Sequence, residues 1–338
     1  MKAIHTGASC TCVHETPDAS ILSDSLPEST PTDLFLSDVS ERDKPWDTHR
    51  ANTSKLTSFY QGDEEFVRYA QRTADCSRLL WFLMACDDDG LVKLVLDTAK
   101  FCRVRHCPTC QWRRTLKWMA KGHEFIPRLM EDFPSAKYLL LTLTVPNCDI
   151  TELRPTISHM NESFKRLVRL KRWPAKGYIR SLEVTRNKEN GTAHPHFHCI
   201  VMVNSRYFKS KDYINRDEWL DMWQSCTRDS SITQVDVRRV GKRKTLQDSF
   251  KEVFKYCIKE GDMLADKDWF LEFHRQMHGV RAISTGGILR KYAKGLEKQI
   301  SEEDDLIVKT EELDEDNTLG VTKFRWSDGN ERYKYSDE

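Results

Sequence analysis

Two histidines one residue apart, His196 and His198, head the run His194-Pro195-His196-Phe197-His198-Cys199-Ile200-Val201-Met202-Val203. The apolar residues that follow read as a buried strand. A strand has a two-residue period, so His196 and His198 share one face while Phe197 turns to the core. Two imidazoles on one strand face are half of a metal site. Glu183, in Tyr178-Ile179-Arg180-Ser181-Leu182-Glu183-Val184-Thr185, offers a carboxylate on the preceding strand. The connection Asn187-Lys188-Glu189-Asn190-Gly191-Thr192 contains Asn-Gly, a strong hairpin signal. With Asn190 and Gly191 at the turn centre, Glu183 falls opposite His198, and His196 lies diagonal to it on the same face. One carboxylate and two imidazoles form an open oxygen–nitrogen set suited to Mg²⁺ or Mn²⁺.

A second cluster is built from sulfur. Cys102, Cys107 and Cys110 follow the spacing Cys-x4-Cys-x2-Cys, dense enough to point to structural zinc. A closed tetrahedral site needs a fourth ligand, and Cys76, Cys86 and His106 are available. His106 adjoins Cys107 and is poorly placed to reach the same ion. A thioredoxin-like use of Cys107 and Cys110 lacks the β-α-β frame it needs. Cys148, Cys199, Cys226 and Cys257 read as small buried residues. Cys10, Cys12 and His14 are a weaker metal candidate near the N-terminus.

The third constellation is Glu252-Val253-Phe254-Lys255-Tyr256-Cys257-Ile258-Lys259. Read as helix, it puts Glu252 and Tyr256 four apart on one face. A tyrosine hydroxyl can attack phosphorus when a metal neutralises the phosphate charge. Lys255 or Lys259 can hold a phosphate beside it.

The chain has 338 residues, 39% apolar and 31% charged, room for one large domain or two ordinary ones. No apolar run approaches a membrane span, and no secretory signal is visible at the N-terminus. Eleven cysteines without such a signal point to a reducing cytoplasm. The net charge of +1 hides an asymmetry: residues 1–50 carry −5, residues 301–320 carry −8, and the stretch 51–300 carries +14. A basic body with acidic ends suits a nucleic-acid binder. Its clusters include Arg103, Arg105, Arg113 and Arg114; Lys165, Arg166, Arg169, Lys171 and Arg172; and Arg238, Arg239, Lys242, Arg243 and Lys244. A phosphate-binding Gly-x4-Gly-Lys-Ser/Thr loop is missing, since Asp236 stands where Gly241-Lys242 would need its first glycine.

These residues need elements to position them. Residues 1–54, rich in Ser, Thr, Pro and Asp, read as a disordered acidic tail, and 299–338 as an acidic C-terminal tail from which Trp326, Tyr333 and Tyr335 could dock back. Residues 55–130 read as a cysteine-rich zinc module followed by a basic helix through Trp112, Leu116 and Met119. Within 131–298, strand 138–145 precedes a helix over 155–173, the two hairpin strands, a helix over 216–227, a strand over 233–240 and a helix over 246–260. That order predicts an α+β fold: an antiparallel sheet with helices on one face, in split β-α-β order.

The set Leu140-Leu141-Thr142-Leu143-Thr144-Val145, His194-Pro195-His196-Phe197-His198, and Glu252 with Tyr256 resembles the three motifs of plasmid rolling-circle replication initiators, within the wider HUH endonucleases. The segment from Phe101 to Arg114 is similar to the one preceding the catalytic domain in the single-tyrosine plasmid branch. Cys76-Ser77-Arg78-Leu79-Leu80-Trp81-Phe82 resembles the strand with that branch's earlier cysteine, which implies Cys76 over Cys86 as the fourth zinc ligand. The likeness spans about residues 70–295. It implies that Glu183, His196 and His198 hold Mg²⁺ or Mn²⁺ against a scissile phosphate in single-stranded DNA at an origin hairpin. Tyr256 would form a 5′-phosphotyrosine and free a 3′-OH primer, and Glu252 would activate water in a terminating cleavage. The host's helicase, single-strand binding protein and polymerase would do the rest. His194 lies outside the two-histidine core. Two other readings compete: a transposase or relaxase using the same chemistry, disfavoured because Tyr256 follows the histidines, and a zinc-stabilised DNA-binding regulator without chemistry, which leaves the histidines unexplained.

Overall fold

The computed structural model describes residues 34–86, 92–241, 245–254, 257–293, 306–307 and 318–337. Residues 34–54, expected within a disordered tail, are ordered, and their last helix runs on to Gln61. They form the single turn α1 (Leu36–Val39) and the 17-residue α2 (Pro45–Gln61), which starts on Pro45. Trp46, Arg50, Thr53, Leu56, Thr57 and Tyr60 make the buried stripe of α2. Three of those six are polar, which masks the helical period. Arg50 is fully covered and donates to the carbonyls of Thr73 (3.3 Å) and Ala74 (2.9 Å) at the end of α3 (Val67–Ala74).

Next come the hairpin strands β1 (Leu79–Cys86) and β2 (Val92–Ala99) and the 25-residue α4 (Pro108–Asp132). β1 does not pair only with β2. Its other edge takes β8 (Thr318–Ser327), which pairs in turn with β9 (Arg332–Tyr335), so the order is β2-β1-β8-β9, all antiparallel. The expectation of an acidic C-terminal tail therefore fails over 318–335. Phe324, Trp326 and Tyr333 are buried, and the Tyr333 hydroxyl donates to the Ser77 carbonyl at 2.6 Å. The basic helix expected after the cysteines is α4, whose N-terminal half packs on α2.

The second sheet is formed by β3 (Lys137–Thr144), β4 (Gly177–Arg186), β5 (Ala193–Val203), β6 (Val235–Arg239) and β7 (Ile283–Gly287) in the order β6-β3-β5-β4-β7. Helices α5 (Leu153–Leu167) and α6 (Arg216–Thr227) cover one face through Ile157, Met160, Phe164, Trp219 and Trp223. Leu139, Leu141, Leu143, Phe197, Cys199 and Val201 meet them there, as the two-residue period requires.

Helices were expected on one face only, and here the structure differs. Tyr138, Leu140, Ile200 and Met202 point the other way, against Phe125, Ile126 and Leu129 of α4 and Phe250 and Val253 of α7 (Leu246–Val253). Every residue of β3 from Tyr138 to Leu141 is buried, a pattern that needs cover on both faces. The short α8 (Glu260–Met263), then α9 (Lys267–Met277) and α10 (Leu289–Tyr292) complete the chain order, with α9 wedged between α2 and α5. The second face is covered at the Ile200–Met202 end by α4 and α7.

Candidate active site and thiolate cluster

The register of β4 on β5 decides the metal geometry. Glu183 lies opposite His196, and Ser181 opposite His198. The expected pairing of Glu183 with His198 is displaced by two residues, and the loop is the reason. The Asn187 N–H donates to the Thr192 carbonyl (2.8 Å) and the Gly191 N–H to the Asn187 carbonyl (3.0 Å). Residues 188–191 thus form the loop in place of a two-residue turn centred on Asn190 and Gly191. Gly191 takes φ +72°, where a side chain would be strained. A displacement by two keeps every side chain on its face, so Glu183, His196 and His198 still converge.

Glu183 Oε2 is 2.9 Å from His198 Nε2 and 3.4 Å from His196 Nε2. The three side chains are only 11–14% exposed. His196 Nδ1 is 3.2 Å from the His194 carbonyl, which can only accept, so Nδ1 carries the proton and Nε2 presents a lone pair. His198 Nδ1 is oriented by Thr142 Oγ1 at 3.2 Å. At His196 the Nε2 lone pair meets the carboxylate oxygen, a repulsion that a cation between them would relieve; His198 Nε2 can donate to that oxygen or, with Thr142 accepting from Nδ1, present a second lone pair. Burial works to raise the Glu183 carboxyl, but the two imidazoles, once protonated, outweigh it and hold it well below the usual carboxylate range. A divalent ion would act in the same sense, and the donor set fits Mg²⁺ or Mn²⁺. Thr142 was not singled out from sequence as an orienting group, although Thr142 and Thr144 are the polar breaks in a leucine strand. His194 offers its backbone here; burial and the neighbouring His196 lower its imidazole pKa.

Tyr256 and Lys255 lie outside the described residues. The chain on either side is placed. The helix expected over 246–260 ends at Val253, so Glu252 sits in its last turn. Beyond β7 the outer edge of β4 still needs acceptors. The Leu182 N–H takes the Ala282 carbonyl at 2.7 Å, and the Val184 N–H takes the Cys257 carbonyl at 2.8 Å. Cys257 is therefore tied to the residue next to Glu183. Lys259 is exposed just beyond. Tyr292, by contrast, lies on α10 and donates to Asp132. The α10 backbone meets β4 at Gly177, six residues or about 20 Å of strand from Glu183.

The four thiols of Cys76, Cys102, Cys107 and Cys110 are buried together. Cys76 and Cys110 sulfurs are 3.6 Å apart, Cys102 and Cys110 3.6 Å, and Cys76 and Cys107 3.7 Å. Burial raises the thiols of Cys102 and Cys110 well above the ordinary range. At Cys107 burial pushes the same way, but hydrogen bonds from Cys102, Cys110 and Cys76 overcome it and favour the thiolate. A buried thiolate ringed by sulfur suits a soft cation such as zinc. His106 is not part of this group: its ring is buried against Phe273 and His274.

The basic residues expected to touch DNA divide. Arg113 is buried, with its guanidinium over Trp46 (5.2 Å) and its Nε donating to the Leu306 carbonyl at 3.1 Å. Arg105 donates to the Met277 carbonyl at 3.0 Å, and burial lowers its pKa. Arg114 donates to the Arg105 carbonyl at 3.1 Å. These three brace the cysteine module, whereas Arg103, in the left-handed region at φ +54°, is partly exposed.

A two-histidine, one-carboxylate strand face and a buried four-thiol cluster are two groups, each able to hold a metal ion. A family model described as "Replication protein" matches residues 93–334. A "Protein rep" of Streptococcus pneumoniae serotype 2 (strain D39 / NCTC 7466) is 30% identical over 84% of this chain and 90% of its own. A "Protein rep" of Bacillus amyloliquefaciens is 30% identical over 86% of this chain and 93% of its own, and one of Staphylococcus aureus is 35% identical over 64% and 97%. The chain belongs to the Rep family of plasmid rolling-circle replication initiators. No solved structure matches it. Among the described residues no helix is long and apolar enough to cross a membrane.

Proposed function

We propose that this initiator opens its plasmid origin by nicking one strand through Tyr256. The observation that carries the reading is the meeting of two elements: both imidazole Nε2 atoms converge on Glu183 Oε2, and the Cys257 carbonyl is held by Val184, one residue from that carboxylate. Glu183, His196 and His198 would hold Mg²⁺ or Mn²⁺, which when bound supplies charge neutralisation at a phosphate oxygen. Thr142 and the His194 carbonyl fix the two rings so that their Nε2 lone pairs face inward. The Tyr256 phenol releases its proton to solvent as its oxygen bonds to phosphorus. The phosphorus bond to the 3′-oxygen breaks, and that oxygen takes a proton to become the 3′-OH primer. Glu252 takes a proton from water in the later cleavage that ends the round. Cys76, Cys102, Cys107 and Cys110 would hold zinc and shape the module without touching substrate. Origin DNA is the substrate, read through a basic surface, and the host's helicase, single-strand binding protein and polymerase extend the primer. The test is incubation of the full chain with labelled single-stranded origin DNA and Mn²⁺. The wild type should give a cut strand and a covalent protein–DNA adduct, and Tyr256→Phe should give neither. Adduct formation by Tyr256→Phe, or no cleavage by the wild type on any origin strand, would refute the proposal; the latter result would favour a non-catalytic regulator.

A further inference from the structure

On the sheet face opposite the histidines, the edge strand β6 borders an open pocket of about 330 Å³. This is at the small end of ligand-binding pockets, about 300–1,000 Å³. Leu139 and Val237 form its floor. Its walls are Tyr207, Phe208 and Tyr213, with ring centroids 5.2, 5.6 and 6.2 Å apart, and Arg239, whose guanidinium lies 4.6 Å over the Phe208 ring. The loop is held in shape by Tyr207, whose hydroxyl bonds to both the carbonyl and the N–H of Ile214. Tyr213 is nevertheless 46% exposed, a large aromatic ring left at the mouth of a pre-formed pocket. Around it Arg206, Lys209, Lys211 and Arg239 are exposed, against Asp212 as the one acid of the loop 206–213.

We propose that this pocket binds an unstacked base of single-stranded DNA, with the flanking phosphates held by Arg239 and the lysines of the 206–213 loop. Aromatic faces beside a positive rim are what single strands bind; duplex DNA offers no free base face to stack. The position suits a strand that also visits the histidines. β6 sends Arg238, opposite Leu140, to the histidine face and Arg239, opposite Leu139, to the pocket face. In the plane of the sheet the pocket is two strands across and three residues along from His198, about 14 Å. DNA leaving the histidine face over the edge of β6 would meet an arginine on each side. The inference rests on origin DNA being the substrate, but not on the nicking chemistry.

The experiment uses the full chain without added divalent metal, so that cleavage plays no part. Single-stranded origin oligonucleotides carry 5-iodouracil at successive positions and are photo-crosslinked. Attachment within Tyr207–Tyr213 at one or two nucleotide positions is expected. Attachment spread over the surface, or absent from that segment, overturns the proposal. Loss of one stacked base should weaken single-strand binding by Tyr213→Ala about 5- to 150-fold, with duplex affinity unchanged and Tyr213→Phe like the wild type. Arg239→Gln should instead reduce the slope of log affinity against log salt by about 0.7. Equal loss on single strands and duplex, or wild-type single-strand affinity in Tyr213→Ala, refutes base stacking. If crosslinking succeeds while no Tyr256 adduct forms, the nicking proposal alone falls.

Discussion

Replacing Cys76 by serine tests the sulfur cluster most directly. Three of the sulfur–sulfur separations are 3.6, 3.6 and 3.7 Å. Taken as edges of a tetrahedron, they put each sulfur about 2.2 Å from the centre, against about 2.3 Å for a zinc–thiolate bond. The wild type should therefore bind one zinc per chain, with an X-ray absorption shell of four sulfurs and no nitrogen. In a structural site the binding free energy is folding free energy, about 10 kcal/mol or more in small zinc domains. That rivals the whole stability of a typical domain, about 5–15 kcal/mol. At about 2–4 °C of melting temperature per kcal/mol, even one third of it lost in Cys76→Ser lowers the melting temperature by about 7–13 °C. Elemental analysis and a thermal melt read both effects, with Cys86→Ser as the control that keeps zinc and stability. Full zinc in Cys76→Ser, or a shell containing nitrogen from a residue such as His106, would refute the four-thiolate assignment.

Combined His196→Ala and His198→Ala should abolish metal-dependent nicking and leave duplex affinity nearly unchanged, since lysine and arginine contacts to phosphate carry it; normal nicking would remove the metal assignment. Thr142→Val should lower metal affinity about 10- to 100-fold without unfolding, read by Mn²⁺ titration of activity. Glu252→Ala should keep the first nick and overrun one unit length in a replication extract, and loss of the first nick would overturn its terminating role. His274 is buried and hydrogen-bonded to Tyr60 at 2.8 Å; burial, with His278, Arg105 and Arg275 nearby, lowers its pKa to about 4. The unfolded chain binds this proton below about pH 6.5, and the folded chain does not until about 4. Stability from this group is therefore full above pH 6.5 and is lost as pH falls towards 4, by about 3 kcal/mol in total; His274→Gln should flatten that limb of the denaturation profile.

Much of the site could be read because local chemistry carries it. The period of β5 puts His196 and His198 on one face, and the Asn-Gly loop brings Glu183 there whether the loop holds two residues or four. Helices α5 and α6 and the triple Cys102, Cys107, Cys110 are equally local. The remainder depends on partners distant in sequence. In α2 the buried Arg50 and Thr57 donate to carbonyls and a hydroxyl of α2 and α3, and Thr53 bonds the His49 carbonyl and Thr109, so the segment reads as polar although it is core. β8 has two buried aromatics, and pairing with β1 makes it a strand. Nothing between Leu246 and Glu260 signals the end of α7 at Val253, and the Cys257 carbonyl beyond it is bonded to Val184 on β4, a partner distant in sequence. The burial of Arg113 follows from its docking on Trp46 and Leu306, which a count of positive charge cannot foresee.

The pairing of β1 with β8 sets a clock on synthesis. Leu80 finds Phe324 as its partner, and the Leu34 carbonyl accepts from the Tyr335 N–H, so the first and last described strands and turns close one sheet. A ribosome adding about 5–20 residues per second leaves β1 half-paired for roughly 10–50 s while the histidine sheet emerges and folds. Throughout that interval the module around Cys76 has an open edge and lacks the cover of Trp326 and Tyr333. A nascent initiator would carry its histidine face before the scaffold that braces it is complete.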